Sequence, residues 1–273
     1  TYSGTGGYTV TSNDITVTAA VASKLNFDTS PSASSGSGAV LSTTPVVSVQ
    51  DSLNNVVTLA ASDTMTVTAT NTGGTVSLSG NTATVNSGSL ASFTFPNLKI
   101  NGKSGTVTLT FTDGLSSKTA TATVTLTAGT ASKLSVTNAA STTVSNGAPF
   151  GTQPIIAVTD ADGNVISSAT GSVSVAVTGG PTLSGTTSQP LSSGVATFTD
   201  LVLTGTTGSY TLTYSYVPGN LSGITSYAPS VSLVAGSSST MTVTRSGDAS
   251  PVDGSAFAVA PQVTIYDASG NVA

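Results

Sequence analysis

One short pattern occurs three times in this chain at almost constant spacing. Pro45-Val46-Val47-Ser48-Val49-Gln50-Asp51, followed by Asn55-Val56, returns as Pro154-Ile155-Ile156-Ala157-Val158-Thr159-Asp160, followed by Asn164-Val165. It returns again as Pro261-Gln262-Val263-Thr264-Ile265-Tyr266-Asp267, followed by Asn271-Val272. The Asp positions are 109 residues apart (160 − 51) and then 107 (267 − 160). A second landmark keeps step, with Leu25 in Ser-Lys-Leu, Leu134 in Ser-Lys-Leu and Met241 in Ser-Thr-Met. Self-similarity at a fixed period means a chain of stacked or strung units, each built the same way.

The later part of the unit aligns as well. Phe95, Leu98, Ile100, Gly102 and Gly105 match Phe198, Leu201, Leu203, Gly205 and Gly208 at a constant offset of 103 (198 − 95). Gly6, Tyr8 and Val10 line up with Gly208, Tyr210 and Leu212. The alignment divides the 273 residues into the last strands of one repeat (1–21), two complete repeats (22–130 and 131–237) and the opening strands of a further one (238–273). Such end pieces would expose apolar faces, so the reading expects the polypeptide to continue both ways, or another chain to complete the ends.

Within a repeat the elements read as strands. Residues 106–112, Thr-Val-Thr-Leu-Thr-Phe-Thr, alternate strictly with period two, which puts Val107, Leu109 and Phe111 on one face. Similar runs lie at 121–127, 65–70 and 172–177, and Gly-, Ser- and Asn-rich breaks such as 71–74 and 204–208 separate them. Composition agrees: the chain has no Glu and only six Lys and Arg, all good helix formers, whereas Thr and Val suit a pleated strand. Many short strands per repeat predict an all-β fold of tandem immunoglobulin-like Greek-key β-sandwich repeats of about 109 residues. The chain has no Cys and no Trp, so it lacks the disulfide and tryptophan core of antibody domains.

The same counts remove several chemistries. Without His or Cys there is no Ser-His-Asp or Cys-His nucleophile and no ordinary zinc site. Six scattered basic residues and a net charge of −5 do not match a run of phosphates, so nucleic acid is not an expected partner. No apolar run approaches the ~20 residues of a membrane-spanning helix.

The stretch 146–165, NGAPFGTQPIIAVTDADGNV, resembles a repeat of very large bacterial and archaeal cell-surface proteins of adhesin, S-layer or sheath type. So do Gly194-Val195-Ala196-Thr197-Phe198 running on to Leu201, Gly208-Ser209-Tyr210-Thr211-Leu212, and the junction Ala128-Gly129-Thr130-Ala131-Ser132-Lys133-Leu134. The resemblance implies an exported, extracellular setting at the cell surface. It implies no single role, because such repeats serve adhesin stalks, layers and sheaths, and spacers of exported enzymes.

Four groups of residues are candidate sites. Asp160, Asp162 and Asn164 form an Asp-x-Asp-Gly-Asn run, the kind of oxygen-rich loop that calcium uses. The positions matching Asp162 are Leu53 and Ser269, and a hydrogen-bonded turn explains the run without metal, so no cofactor is expected beyond a weak calcium candidate. Asp28 and Asp113 are further candidates for calcium at a junction between repeats. Lys24 and Lys133 recur where some surface sandwiches form a Lys–Asn crosslink, against the plainer reading of a solvated Lys. Tyr210, Tyr214 and Tyr216 share one strand face, as a sugar platform would require, but Leu212 shares it too and core packing is favoured. Asn220-Leu221-Ser222 is a glycosylation sequon.

Three functions fit these observations. The first is a non-catalytic structural subunit of a surface layer, sheath or filament, its partners being copies of itself or neighbouring repeats. The second is the stalk of an adhesin. The third is a carbohydrate-binding or enzyme-linked module with surface glycans as partner.

Overall fold

The computed structural model describes residues 16–217, 221–222 and 224–273, together with the backbone of residues 2–3 and 9–10. Gly6, Tyr8, the side chain of Val10 and the sequon residue Asn220 lie outside the described residues. Every regular element among those described is a strand. The chain forms two compact units, Thr1–Thr127 and Ala128–Ala273.

The first unit holds one complete sandwich. Its larger sheet has the order Ser34–Gly36, Thr119–Thr127, Gly105–Asp113, Asp63–Asn71, Thr82–Val85. A second sheet pairs Lys24–Thr29, Val46–Gln50 and Ser92–Thr94, and Val76–Ser79 pairs with Lys99–Gly102. Spatial neighbours are thus often distant in sequence, which is the Greek-key arrangement. All pairs are antiparallel except Ser34–Gly36, which runs parallel to the last strand, Thr125 opposite Ser34.

The alternation in residues 106–112 decides how this sandwich closes. Val107, Leu109 and Phe111 are fully buried, while Thr108, Thr110 and Thr112 are half-buried on the outer face. Those threonines are not fully exposed because the strand is central, and Thr108 sits between Thr70 and Thr123 of the flanking strands. Phe111 packs edge-on against Phe27 (ring centroids 5.2 Å) and Phe95 (5.3 Å), which ties the two sheets together.

The second unit repeats the plan. Its five-stranded sheet runs Thr143–Ser145, Ser230–Val234, Gly208–Val217, Ser172–Thr178, Ser188–Pro190, facing Lys133–Asn138, Ile155–Thr159 and Val195–Thr197. Phe198 and Tyr214 occupy the places of Phe95 and Phe111, again edge-on at 5.8 Å. Beyond this sandwich, Ser238–Arg245 pairs with Gln262–Asp267. Val263 and Ile265 are 56% and 44% exposed there, whereas the matching Val47, Val49, Ile156 and Val158 are all core residues. The two strands therefore present an apolar face that the complete sandwiches bury.

Candidate functional site at the junction between repeats

The recurrent Asp-x-x-x-Asn motif forms the same turn three times. The Asp51 Oδ1 accepts the Leu53 and Asn55 N–H groups at 2.8 and 2.9 Å, and the Asn55 side-chain amide donates to Oδ2 at 3.0 Å. The Asp160 Oδ1 accepts the Asn164 N–H, and the Asn164 amide donates to Oδ2, both at 2.8 Å. The Asp267 Oδ1 accepts from Ser269 and Asn271 N–H groups at 2.9 Å, and the Asn271 amide reaches Oδ2 at 2.9 Å. Asp and Asn are chosen because their short side chains mimic backbone hydrogen bonding in a tight turn.

Each Asp also takes a donor from the segment that leads into its repeat. Ala20, Gly129 and Gly236 give their N–H groups to Oδ2 of Asp51, Asp160 and Asp267 at 2.9, 2.8 and 2.9 Å. These three donors lie five residues before Leu25, Leu134 and Met241, so the tie repeats with the period of the sequence. The carboxylates are 1–2% exposed. The Ala20 N–H, then the Asn55 amide, hold the Asp51 carboxyl down at about 2 against the opposing effect of burial. Burial likewise opposes ionisation of Asp160 and Asp267, and the donated hydrogen bonds outweigh it, keeping both below the ordinary carboxylate range.

In the second unit the motif reaches further, onto the preceding sandwich. The Asn146 side-chain amide donates to Asp267 Oδ2 at 2.7 Å, and its Oδ1 accepts the Gly205 N–H at 2.9 Å. Asn271 answers from the other side: its amide donates to the Gly205 carbonyl and its Oδ1 accepts the Thr207 N–H, both at 2.9 Å. Asn146, Asp267 and Asn271 are nine-tenths or more buried. A Cβ on Gly236 would sit 2.3 Å from the Asn146 carbonyl oxygen, so the connecting segment must carry glycine there. In the first unit the positions of Asn146 and Gly205 are Ser37 and Gly102, and the Ser37 hydroxyl accepts the Gly102 N–H at 2.9 Å.

The Asp160–Asn164 run is therefore a turn in which the Asp160 oxygens already face N–H donors, Asp162 contributing its own backbone N–H. Among the described residues no group of three or more Asp side chains is placed to hold a metal ion. Asp28 accepts from the Ser48 hydroxyl at 2.8 Å and the Asn26 amide at 2.9 Å. Lys24 donates to Asn54 Oδ1, and Lys133 to the Ala161 carbonyl at 3.1 Å, so each ammonium caps the turn beside it on the exposed surface. Tyr214 is fully buried, and Tyr210 and Tyr216 are half-buried against the same core, their hydroxyls bonded to the Thr206 and Thr170 carbonyls. That face is packed, and offers no platform for a sugar ring.

No family model matches the chain, and no curated protein matches it in sequence. Similar folds are found among solved structures. The FdeC adhesin of Escherichia coli is 20% identical over 93% of this chain and 77% of that one, with a TM-score of 0.40. The D00–D0 domain of intimin is 16% identical over 77% of this chain and 98% of that one, with a TM-score of 0.36. Domains 4–9 of the surface layer protein SbsC are 19% identical over 92% of this chain and 38% of that one, with a TM-score of 0.27.

Sequence reasoning found Asp267, Asn271 and Gly205 as period markers and missed what they do. Asn146 opens the stretch that carries the family resemblance, but the sequence assigns it no role. Its signal was the Asn-Gly-Ala of residues 146–148 set against the Ser-Gly-Ala of residues 37–39.

Proposed function

We propose that this chain is a non-catalytic structural segment of an extracellular assembly at the cell surface. Its immunoglobulin-like sandwiches, on this reading, are subunits of a layer, sheath or filament. The observation that carries the proposal is the clamp of Asp267 and Asn271 on Asn146, Gly205 and Thr207. Within the second unit, the most regular polar residues of the repeat fasten the strand pair Ser238–Arg245 and Gln262–Asp267 to the sandwich before it. A stiff string of sandwiches is what a load-bearing or lattice-forming protein requires.

Surface composition supports the lattice reading over a free stalk. Only 6% of residues are charged, against about 25% in ordinary soluble domains. Charge keeps soluble proteins apart, and Thr- and Ser-rich faces allow close approach to copies of the same chain. Neither a metal nor a cofactor enters this account, and the Asp-x-Asp-Gly-Asn run acts in it as a turn.

Electron microscopy of the native material on cells tests the proposal. An ordered array in which each sandwich touches the same neighbours is the expected result. Isolated flexible strings of beads would overturn it and leave the stalk of an adhesin as the reading.

A further inference from the structure

The first sandwich holds a buried pair of carboxyl groups that the junction does not use. Asp63 opens the strand Asp63–Asn71 and Asp113 closes the neighbouring strand Gly105–Asp113. Asp113 is opposite Met65, which makes Asp63 its diagonal neighbour. Period-two alternation turns both inward, in line with Met65 and Val67 on one strand and Val107, Leu109 and Phe111 on the other. Asp63 is 4% exposed and Asp113 is 2% exposed.

The hydrogen-bond inventory leaves a gap that one proton fills. On Asp63, Oδ1 accepts the Thr64 N–H at 2.7 Å, and the carboxyl also takes the Leu115 N–H. On Asp113, Oδ2 accepts the Ser116 N–H at 2.7 Å and the Ser116 hydroxyl. Asp63 Oδ2 and Asp113 Oδ1 are buried with no donor on either, and the strand register places the two side chains side by side. Two ionised carboxylates have only acceptors, so a proton on one of them is what would let these two oxygens pair.

We propose that Asp63 and Asp113 share a single proton that fastens the turn of residues 114–118 to the end of the first sandwich, so that mild acid tightens this end and neutral pH loosens it. Burial, then the bond to Asp113 and its charge, push the Asp63 carboxyl up to about 6. Asp113 is the one charge that shifts it. Val85 on the adjoining strand is neutral, and Lys118, at the end of the turn, points its side chain outward. The folded state thus binds a proton that the unfolded chain releases near 3.8. That contribution is complete below about 4, declines as pH rises, and is gone above about 6.

The second sandwich supplies an internal control. By strand register and the 103-residue offset, its counterparts of Asp63 and Asp113 are Gly171 and Tyr216. Tyr216 there gives its hydroxyl to the Thr170 carbonyl at 2.5 Å, so no pair of carboxyl groups occupies this place.

Carbon-detected NMR of the full chain, with amide hydrogen exchange, tests the pair between pH 4.5 and 8. The Asp63 carboxyl carbon should titrate near 6, and intrinsic-rate-corrected protection of residues 63–67 and 111–119 should fall several-fold across that range. Residues 171–178 and 208–217 should not follow. Asp63→Asn, whose amide donates to Asp113 without a titrating proton, should remove the dependence, and Asp113→Asn serves if the first variant does not fold. An ordinary Asp63 titration, or protection that stays flat, would overturn the proposal. So would added calcium restoring protection at pH 8 in the native chain but not in Asp63→Asn, since the pair would then be a cation site.

Discussion

The side-chain amide of Asn146 lies 2.7 Å from the carboxylate of Asp267, although 121 residues separate them in sequence. One belongs to the Asn-Gly turn of a complete sandwich and the other to the motif that opens the next repeat. A hydrogen bond to an ionised, buried carboxylate is among the stronger kinds, and holds geometry as well as energy. Because Asp267 also accepts from Gly236, the same carboxylate fixes the connecting segment and the sandwich behind it.

Strong acid should weaken the turns before it affects anything else in the second unit. The Asp160 and Asp267 carboxyls are held below the unfolded value, so their contribution is present above about 4 and is lost as pH falls further. Asp51 behaves alike, its loss complete only below about 2. Chemical denaturation at pH 7, 4 and 2.5 should show the second unit equally stable at the first two and weaker at the third. A second unit as stable at pH 2.5 as at pH 7 would contradict this.

Phe198→Ala should cost the second sandwich ~3–5 kcal/mol, the usual penalty for emptying a packed aromatic site. Phe198 is 1% exposed and rests edge-on against Tyr214. Urea unfolding followed by tyrosine fluorescence measures the loss, and the first sandwich, with its own core around Phe95 and Phe111, should be unaffected.

Tyr214→Phe should raise stability by about 1 kcal/mol, because an unbonded buried hydroxyl costs roughly that much. The Tyr214 hydroxyl has no partner among the described residues, and burial, then the neighbouring Tyr227, raise its pKa well above the ordinary value. It lies beside a cavity of about 80 Å³ lined by Val136, Ile156 and Tyr227. Differential scanning calorimetry of the two chains decides the sign.

How far the sequence can be read is set by what each signal encodes. Alternation in residues 106–112 encodes a face, and Val107, Leu109 and Phe111 are buried as it requires. The same alternation carried one step further gives Asp113, and carried back from Val67 gives Asp63. A charged residue ends a hydrophobic run to the eye, so the sequence offers Asp113 only as a calcium candidate and gives no sign of its pairing with Asp63. Asp160, Asp162 and Asn164 spell both a turn and an oxygen-rich loop. Only geometry shows that the Asp160 oxygens already face N–H donors. The partnership of Asn146 with Asp267 depends on where a sandwich ends in space, which no local pattern records.

The most direct test of the account is the stiffness of the junction that Asp267 and Asn271 clamp. The chain contains no cysteine, so Ser188→Cys and Thr242→Cys, both at exposed strand positions, give two unique spin-label sites across it. Double electron–electron resonance should report one narrow distance distribution, and Asn271→Ala, which removes the ties to Gly205 and Thr207, should broaden it. A broad distribution in the unaltered junction, or one that Asn271→Ala leaves unchanged, would contradict the clamp and the rigid surface assembly built on it.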